Sequence, residues 1–372
     1  MKRALSGITP SSTKGLHLGN YLGMVKPAVD FQKTANCFYF IANVHSLNTV
    51  FDPQEVETNT MNIFTEFLAL GIDTEKTIFY VESDIPAIPY LQTILNNAVT
   101  VAELKRMHAY KDKLQDEIAP DQISMGLFSY PVLMSADILL FDTDIVPVGE
   151  DQTQHVEICR EMARTFNNRY GDVLKVPELY VKKDVARVPG IFGKKKMSKS
   201  LGNDIPIFAS EQEIKKQIMQ IKTDPARIHP TDPGNPDKNN TFTYFDLLQY
   251  DKSKLEELKE KYRKGTIGDV EIKTIFYEFF LDYFSEFRAK KTELLKDKKR
   301  IHELRLIGAQ KANEVAIPVL ERVKTADRQN SPRSARPSYL PCSECIYPNG
   351  ASFGQAHHRY NGFLVVLAGG HL

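Results

Sequence analysis

The chain predicts an α/β fold, a doubly wound parallel sheet followed by a helical domain, and three observations lead there. Short apolar runs, Arg3-Ala4-Leu5-Ser6-Gly7, Cys37-Phe38-Tyr39-Phe40-Ile41-Ala42 and Thr77-Ile78-Phe79-Tyr80-Val81, read as strands separated by helical patterns. Such alternation builds parallel sheets with helices on both faces. After Ser200 the strand signal stops, and Glu211 to Ile221, Tyr244 to Tyr262, Ile267 to Leu295 and Ile301 to Val323 read as amphipathic helices. The fold class is therefore Rossmann-like α/β over residues 1–200, helical over 201–324, with an atypical tail over 325–372.

Each element has a local signal. The pattern Leu18, Leu22, Val25, Val29 follows the first strand at helical spacing, and Pro53 to Leu70, closed by Gly71, joins the second strand to the third. Tyr130 to Leu140 is apolar at nearly every position except Asp137. Asp144 to Gln152 reads as a short buried strand ending in a turn that opens a helix from Thr153 to about Phe166. The Pro-, Asp- and Asn-rich stretch from Asp224 to Asn240 is a loop.

Composition bounds the function. With 372 residues, 42% hydrophobic and 26% charged, the chain is an ordinary globular protein long enough for two domains. Its 48 basic and 47 acidic residues leave a net charge of +1 and no global field for nucleic acid. Any such contact must come from local runs such as Lys252 to Lys264 and Lys290 to Arg305, which otherwise read as solvated helix faces. Lys2 and Arg3 precede no sustained apolar stretch and no run approaches a membrane span, so a cytoplasmic protein with no membrane association is expected. Cys37, in a strand, and Cys159, in a helix, have no spacing partner.

Two distant motifs fit nucleotide chemistry. His17-Leu18-Gly19-Asn20 lies where the first strand hands over to a helix, and free N–H groups with the helix dipole favour phosphate there. His17 can donate to a phosphate oxygen, and Gly19, without Cβ, lets adenine or ribose lie against the backbone. The second motif, Lys196-Met197-Ser198-Lys199-Ser200, follows Gly190-Ile191-Phe192-Gly193 and two further lysines. Mobile ammonium groups on a Gly-flanked loop can close over a triphosphate and stabilise the charge that develops on a leaving pyrophosphate. Each motif alone is equally an ordinary turn or a solvated basic loop. Between them, Asp137 either pairs within the helices or accepts a hydrogen bond from an aromatic substrate, because an unpaired buried carboxylate is costly.

The strings Ser6-Gly7-Ile8, His17-Leu18-Gly19-Asn20-Tyr21-Leu22-Gly23, Met134-Ser135-Ala136-Asp137-Ile138-Leu139, Val146-Pro147-Val148-Gly149-Glu150-Asp151-Gln152 and Lys196-Met197-Ser198-Lys199-Ser200 resemble the bacterial and organellar tryptophanyl-tRNA synthetases. The resemblance runs from Met1 to about Lys324. Its most specific part is Gly149 to Gln152, where the tyrosyl relatives carry a different residue in place of the glutamate. It implies a class I ligase that activates tryptophan with ATP and Mg2+, transfers it to the tryptophan tRNA, and works as a homodimer. It further implies that Asp137 accepts the indole N–H, that Leu5, Gly7, Met134, Val146 and Val148 line the ring with His45 facing it, and that Tyr130 and Gln152 hold the ammonium group. For ATP it implies Thr9, Pro10, Ser11, Gly19, Asn20, Gly149, Glu150, Asp151, Val188 and the loop Lys196, Met197, Ser198, Lys199 and Ser200. The catalytic set is His17, Lys111, Lys113, Lys196 and Lys199.

Some positions depart from the family. Thr9 stands where many relatives have glutamine, Leu5 replaces a common phenylalanine, and two extra residues lie between Ser11 and His17. A tyrosine- or other carboxylate-activating enzyme of the same superfamily would keep both ATP motifs without tryptophan selectivity at Asp137. A non-catalytic, tRNA-binding synthetase-like protein would show no amino-acid-dependent pyrophosphate exchange. The family stops near Val323, whereas here the chain continues through Cys342-Ser343-Glu344-Cys345 and His357-His358. Those residue types suit zinc, but no clear helix carries the histidines. The tail therefore reads as a disordered or frame-shifted extension, and no metal site is expected.

Overall fold

Alternate residues of a strand face opposite sides of the sheet, and in a sheet covered on both faces both sets are apolar. Ala4, Cys37, Tyr39, Ile41, Phe79, Val81 and Ile145 enter one buried cluster, while Leu5, Phe38, Phe40, Tyr80 and Val146 enter another. In this computed structural model the described residues are 1–330 except 12–13, 109, 112–118, 150–151, 182–187 and 194. The tail beyond 330, with its cysteines and histidines, therefore lies outside the described residues.

The chain runs β1 (Arg3–Ile8), α1 (Leu18–Asn20), a π-helical turn (Tyr21–Val25), α2 (Lys26–Phe31), β2 (Asn36–Ile41), α3 (Asn43–Ser46), α4 (Pro53–Ala69), β3 (Thr77–Val81), α5 (Ala87–Leu95) and α6 (Val101–Lys105). It continues through α7 (Met125–Leu139), β4 (Ile145–Val148), α8 (Thr153–Tyr170) and β5 (Glu178–Val181). The remaining helices are α9 (Glu211–Met219), α10 (Asn240–Leu247), α11 (Lys252–Arg263), α12 (Asp269–Lys296) and α13 (Lys298–Asn330).

All strand pairs are parallel, in the order β3-β2-β1-β4-β5. The chain winds outward from β1 to β3 and then resumes on the other side at β4. The crevice between the C-terminal ends of β1 and β4 is thus the topological switch point, where open α/β sheets take their ligands. The expected doubly wound sheet followed by helices is what the structure contains.

Two differences have local causes. The stretch expected as one helix from Tyr244 to Tyr262 is α10 and α11, broken where Gln249 adopts φ 58° and where Asp251 caps α11 through the Lys254 N–H at 2.9 Å. Phe245 and Leu248 before the break and Leu255 and Leu258 after it serve one core, so the apolar pattern passes straight through. Strand β5 carries only four residues, too few for a visible alternation.

The last helix closes the sheet. α13 runs beside the edge strand β3, where Arg305 grips Asp84 through paired bonds of 2.7 and 2.9 Å and the Lys311 ammonium donates to the Thr74 carbonyl. Covering an edge strand removes a template for unwanted pairing. The close approach needs Gly308, since a Cβ there would collide with the Phe79 carbonyl. Among the described residues no helix is long and apolar enough to cross a membrane.

Gly308→Ala forces α13 away from β3, and overpacking of this kind costs about 1–3 kcal/mol. Denaturant unfolding of the variant is expected to show a lower midpoint with an unchanged slope; an unchanged midpoint would mean that the helix moves aside freely.

Candidate active site

One side of the crevice is built from the loop after β1. His17 caps α1 in an unusual reciprocal pair. Its Nδ1 accepts the Asn20 N–H at 3.3 Å, and its own backbone N–H donates to Asn20 Oδ1 at 3.2 Å. An accepting Nδ1 leaves the proton on Nε2, which makes the ring a neutral donor. Burial, with the Lys199 and Lys196 ammonium groups nearby, pushes its pKa down to about 3.

The same lysines place the second motif beside the first. Leu18 N–H donates to the Ile205 carbonyl at 2.9 Å and Ile207 N–H to the Leu16 carbonyl at 3.0 Å, flanking a bridge between His17 and Pro206. The room beside Gly19 is narrow, because a Cβ there would lie 2.9 Å from His17 Cε1 and 3.3 Å from Met197 Cβ. The lysine loop is itself fixed at its base. Pro189 bridges Lys196, Met197 N–H donates to the Val188 carbonyl at 3.0 Å, and Asn203 Oδ1 accepts the Ser198 N–H at 2.7 Å. Met197 is buried while Lys196 and Ser200 are exposed, so one apolar anchor carries cations that reach outward. Lys199 is partly buried, which lowers its pKa against the opposing pull of Glu66 and Asp204.

The other side gathers around α7. Tyr130, Met134 and Asp137 recur at i, i+4 and i+7 on α7 and so share one helix face. Asp137 is fully buried; its Oδ2 lies 3.1 Å from His45 Nε2, and its Oδ1 has no hydrogen-bond partner among the described residues. His45 stands on the single turn α3 after β2. That turn is held by Glu82, at the end of β3, whose Oε2 accepts the Val44 and His45 N–H groups at 2.9 and 3.3 Å. Asn43 and Ser83 complete the link with bonds of 2.9 and 3.0 Å.

Apolar walls surround this cluster. Leu5, Phe40, Tyr80 and Val146 are buried, with Met134 and Val148 partly open beside them. Phe40 and Tyr80 stack at 5.5 Å, and Gly7 lies against the Phe40 ring at the exposed end of β1. Tyr130 Oη meets His155 Nε2 at 2.7 Å. Burial holds the Asp137 carboxyl well above the usual carboxylate range. Burial and the Asp137 charge push Glu82 up to about 8, against the partial relief offered by His45 and the two backbone N–H groups.

The expected residues thus fall into two adjoining groups. Thr9, Ser11 and Gly149 are exposed at the ends of β1 and β4, Pro10 and Val188 are buried, and Gln152 stands at partial exposure just before the first residue of α8. Lys113, Glu150 and Asp151 lie outside the described residues. Lys111 is exposed, and among the described residues no hydrogen bond or ion pair ties its side chain to either group. Three residues that build the site were not singled out in the sequence. Asn203 orders the lysine loop, and Glu82 ends a strand at the ligand side of the sheet, which was its only signal. Glu66 is 1% exposed, accepts the Leu16 N–H at 2.6 Å, and is paired with Lys291 at 2.7 Å. Its signal was a carboxylate inside the apolar stretch Phe64-Thr65-Glu66-Phe67-Leu68.

A family model described as tRNA synthetases class I (W and Y) matches residues 1–285. The chain belongs to this family. The tryptophan–tRNA ligase of Fusobacterium nucleatum is 41% identical over 325 residues, which cover 87% of this chain and 97% of the relative. That of Rhodopirellula baltica is 39% identical over 322 residues, covering 87% and 98%. Among solved structures, the tryptophanyl-tRNA synthetase of Campylobacter jejuni, crystallised with ADP and tryptophan, superposes with a TM-score of 0.80 at 40% identity, covering 88% of this chain and all of that one. Class I membership agrees with the meeting of the His17 and Lys199 loops at the switch point.

The neutral His17 makes a pH prediction. The unfolded chain binds a proton on this ring at about pH 6.5, whereas the folded chain does not until about pH 3, so His17 favours folding above that window and the contribution is lost as pH falls through it. The His17 ring resonances are expected to stay constant in an NMR titration from about pH 8 to 5. A midpoint near 6.5 would place the ring in water.

Proposed function

We propose a division of labour among these residues for the reaction this chain catalyses, the ligation of tryptophan to its tRNA through a tryptophanyl adenylate. The observation that carries it is the buried, half-partnered Asp137 beside a crevice whose far side gathers His17, Lys196 and Lys199. Tryptophan enters with its indole N–H on Asp137 Oδ1 and its ring between Met134, Val146, Val148 and Gly7. Tyr130 and Gln152 receive its ammonium group. A carboxylate oxygen then attacks the α-phosphorus of ATP, the bond to the bridging oxygen breaks, and pyrophosphate leaves with the electron pair. A tRNA terminal hydroxyl subsequently attacks the acyl carbon and AMP departs.

Cations in place before the reaction stabilise charge that develops only in the transition state. Lys196 and Lys199 suit the leaving pyrophosphate, and the Nε2–H of neutral His17 suits a phosphate oxygen without titrating at working pH. ATP enters as a substrate, carried as its magnesium complex. The buried acceptor also supplies selectivity, because phenylalanine and tyrosine offer no donor at the indole N–H position and leave Asp137 Oδ1 unpaired. A site built around such a hydrogen bond rejects the wrong ligand by orders of magnitude without editing. A cytoplasmic homodimer, with the helices beyond 200 on the anticodon side of the tRNA, completes the reading.

ATP–pyrophosphate exchange with tryptophan, tyrosine or no amino acid tests it. Lys199→Ala is expected to lower the exchange rate by about a hundredfold or more while leaving tryptophan affinity within a few-fold. Asp137→Ala is expected to erode discrimination among aromatic amino acids by at least about a hundredfold. The chain contains no tryptophan, so quenching of the free amino acid's fluorescence reports binding without protein background. Equal losses of rate and affinity in both variants would sink the division of roles.

A further inference from the structure

We propose that Glu82 is a positioning residue for tryptophan, and that the proton it carries on Oε1 must be present for the amino acid to bind. The inference deepens the reading of Asp137 as indole acceptor and rests on it.

The assignment follows from which lone pairs are already in use. Ligand atoms of His45, Glu82 and Asp137 all lie within 4.8 Å of one another, and both carboxyl groups are buried, at 1% and 0% exposure. His45 Nε2 holds at most one proton. With that proton on Nε2, the neutral ring donates to Asp137 Oδ2 at 3.1 Å rather than to Glu82 Oε1 at 3.8 Å, so it holds Asp137 as the carboxylate against the burial that raises its pKa. No other cation enters the cluster among the described residues, and two adjacent buried carboxylates without one cannot both stay ionised. One proton therefore belongs to the pair. Glu82 Oε2 is committed as an acceptor to the Val44 and His45 N–H groups, and Asp137 Oδ1 must stay bare for the indole N–H. The remaining unpartnered oxygen is Glu82 Oε1.

The surrounding groups agree. Tyr80 on β3 and Cys159 on α8 are held neutral by burial, as is His45 on α3. Tyr130 on α7 is engaged with His155 of α8, and Arg305 on α13 is taken up by Asp84 and Glu57. Glu82 loses its proton at about pH 8 in the empty pocket. An indole ring seated there buries the acid further and favours its neutral form, so above that pH binding draws in a proton.

Two measurements test this on the full chain. First, calorimetry of tryptophan binding near pH 8, in two buffers of different ionisation enthalpy, is expected to show net proton uptake by the wild type and none by Glu82→Gln, whose amide keeps the acceptor for α3. Second, the wild-type Kd, read from tryptophan fluorescence, is expected to rise about fivefold relative to that of E82Q between about pH 8 and 9. Titration of the ligand's own ammonium group cancels in that ratio. Parallel pH profiles with tryptophan still preferred over tyrosine would overturn the proton linkage alone. Loss of that preference in the wild type would instead overturn the Asp137 reading. If a chelator abolished wild-type binding and zinc restored it, the cluster would be a cation site and the proton assignment would fail.

Discussion

Two backbone hydrogen bonds, from Leu18 to Ile205 and from Ile207 to Leu16, join the loop after the first strand to the segment that follows the lysine loop. The crevice depends on this junction, because it is what holds His17 and the lysine loop side by side. The junction is itself clamped from the helical part of the chain. Arg288 on α12 donates to the Ile207 and Ala209 carbonyls at 2.6 and 2.9 Å, and Lys291 one turn later pairs with Glu66, which holds the Leu16 N–H. Tyr283 on the same helix meets the Tyr21 hydroxyl at 3.1 Å. A long helix far along the sequence therefore sets the position of His17.

Electrostatics divides the crevice into two halves. The half around His17 collects ammonium groups, and burial together with that charge keeps His17 a neutral donor. The half around Asp137 holds no Lys or Arg among the described residues and buries two carboxyl groups beside a histidine, where low local polarity makes each hydrogen bond stronger and each unpartnered oxygen more costly. An orphaned acceptor in such a place destabilises the empty pocket and is relieved only by a ligand with a donor in the right position.

Much of this was legible in the chain. The strands β1, β2 and β3 announce themselves by runs that are apolar on both faces, and His17, Gly19 and Lys199 by residue types suited to phosphate. Asp137 stood out because a lone charge interrupts an apolar helix. The basic run from Lys290 to Arg305 was misleading in part, since Lys291 and Arg305 are spent on Glu66 and Asp84 inside the fold. A charge run records composition along the chain and says nothing about which of its members meets a carboxylate from a distant element.

Periodicity and local chemistry are properties of neighbours in sequence, which is why they sufficed for the element types, the order of the βα units and the residues suited to nucleotide and indole. The tertiary structure decided what depends on contacts between distant segments. It broke the helix at Gln249 within one continuous apolar pattern, brought Glu82 and His45 from two strand ends onto Asp137, and set Gly308 against the backbone of β3. It also fixed the protonation states, because a pKa follows from burial and from charges brought near in space, and neither exists until the chain has folded.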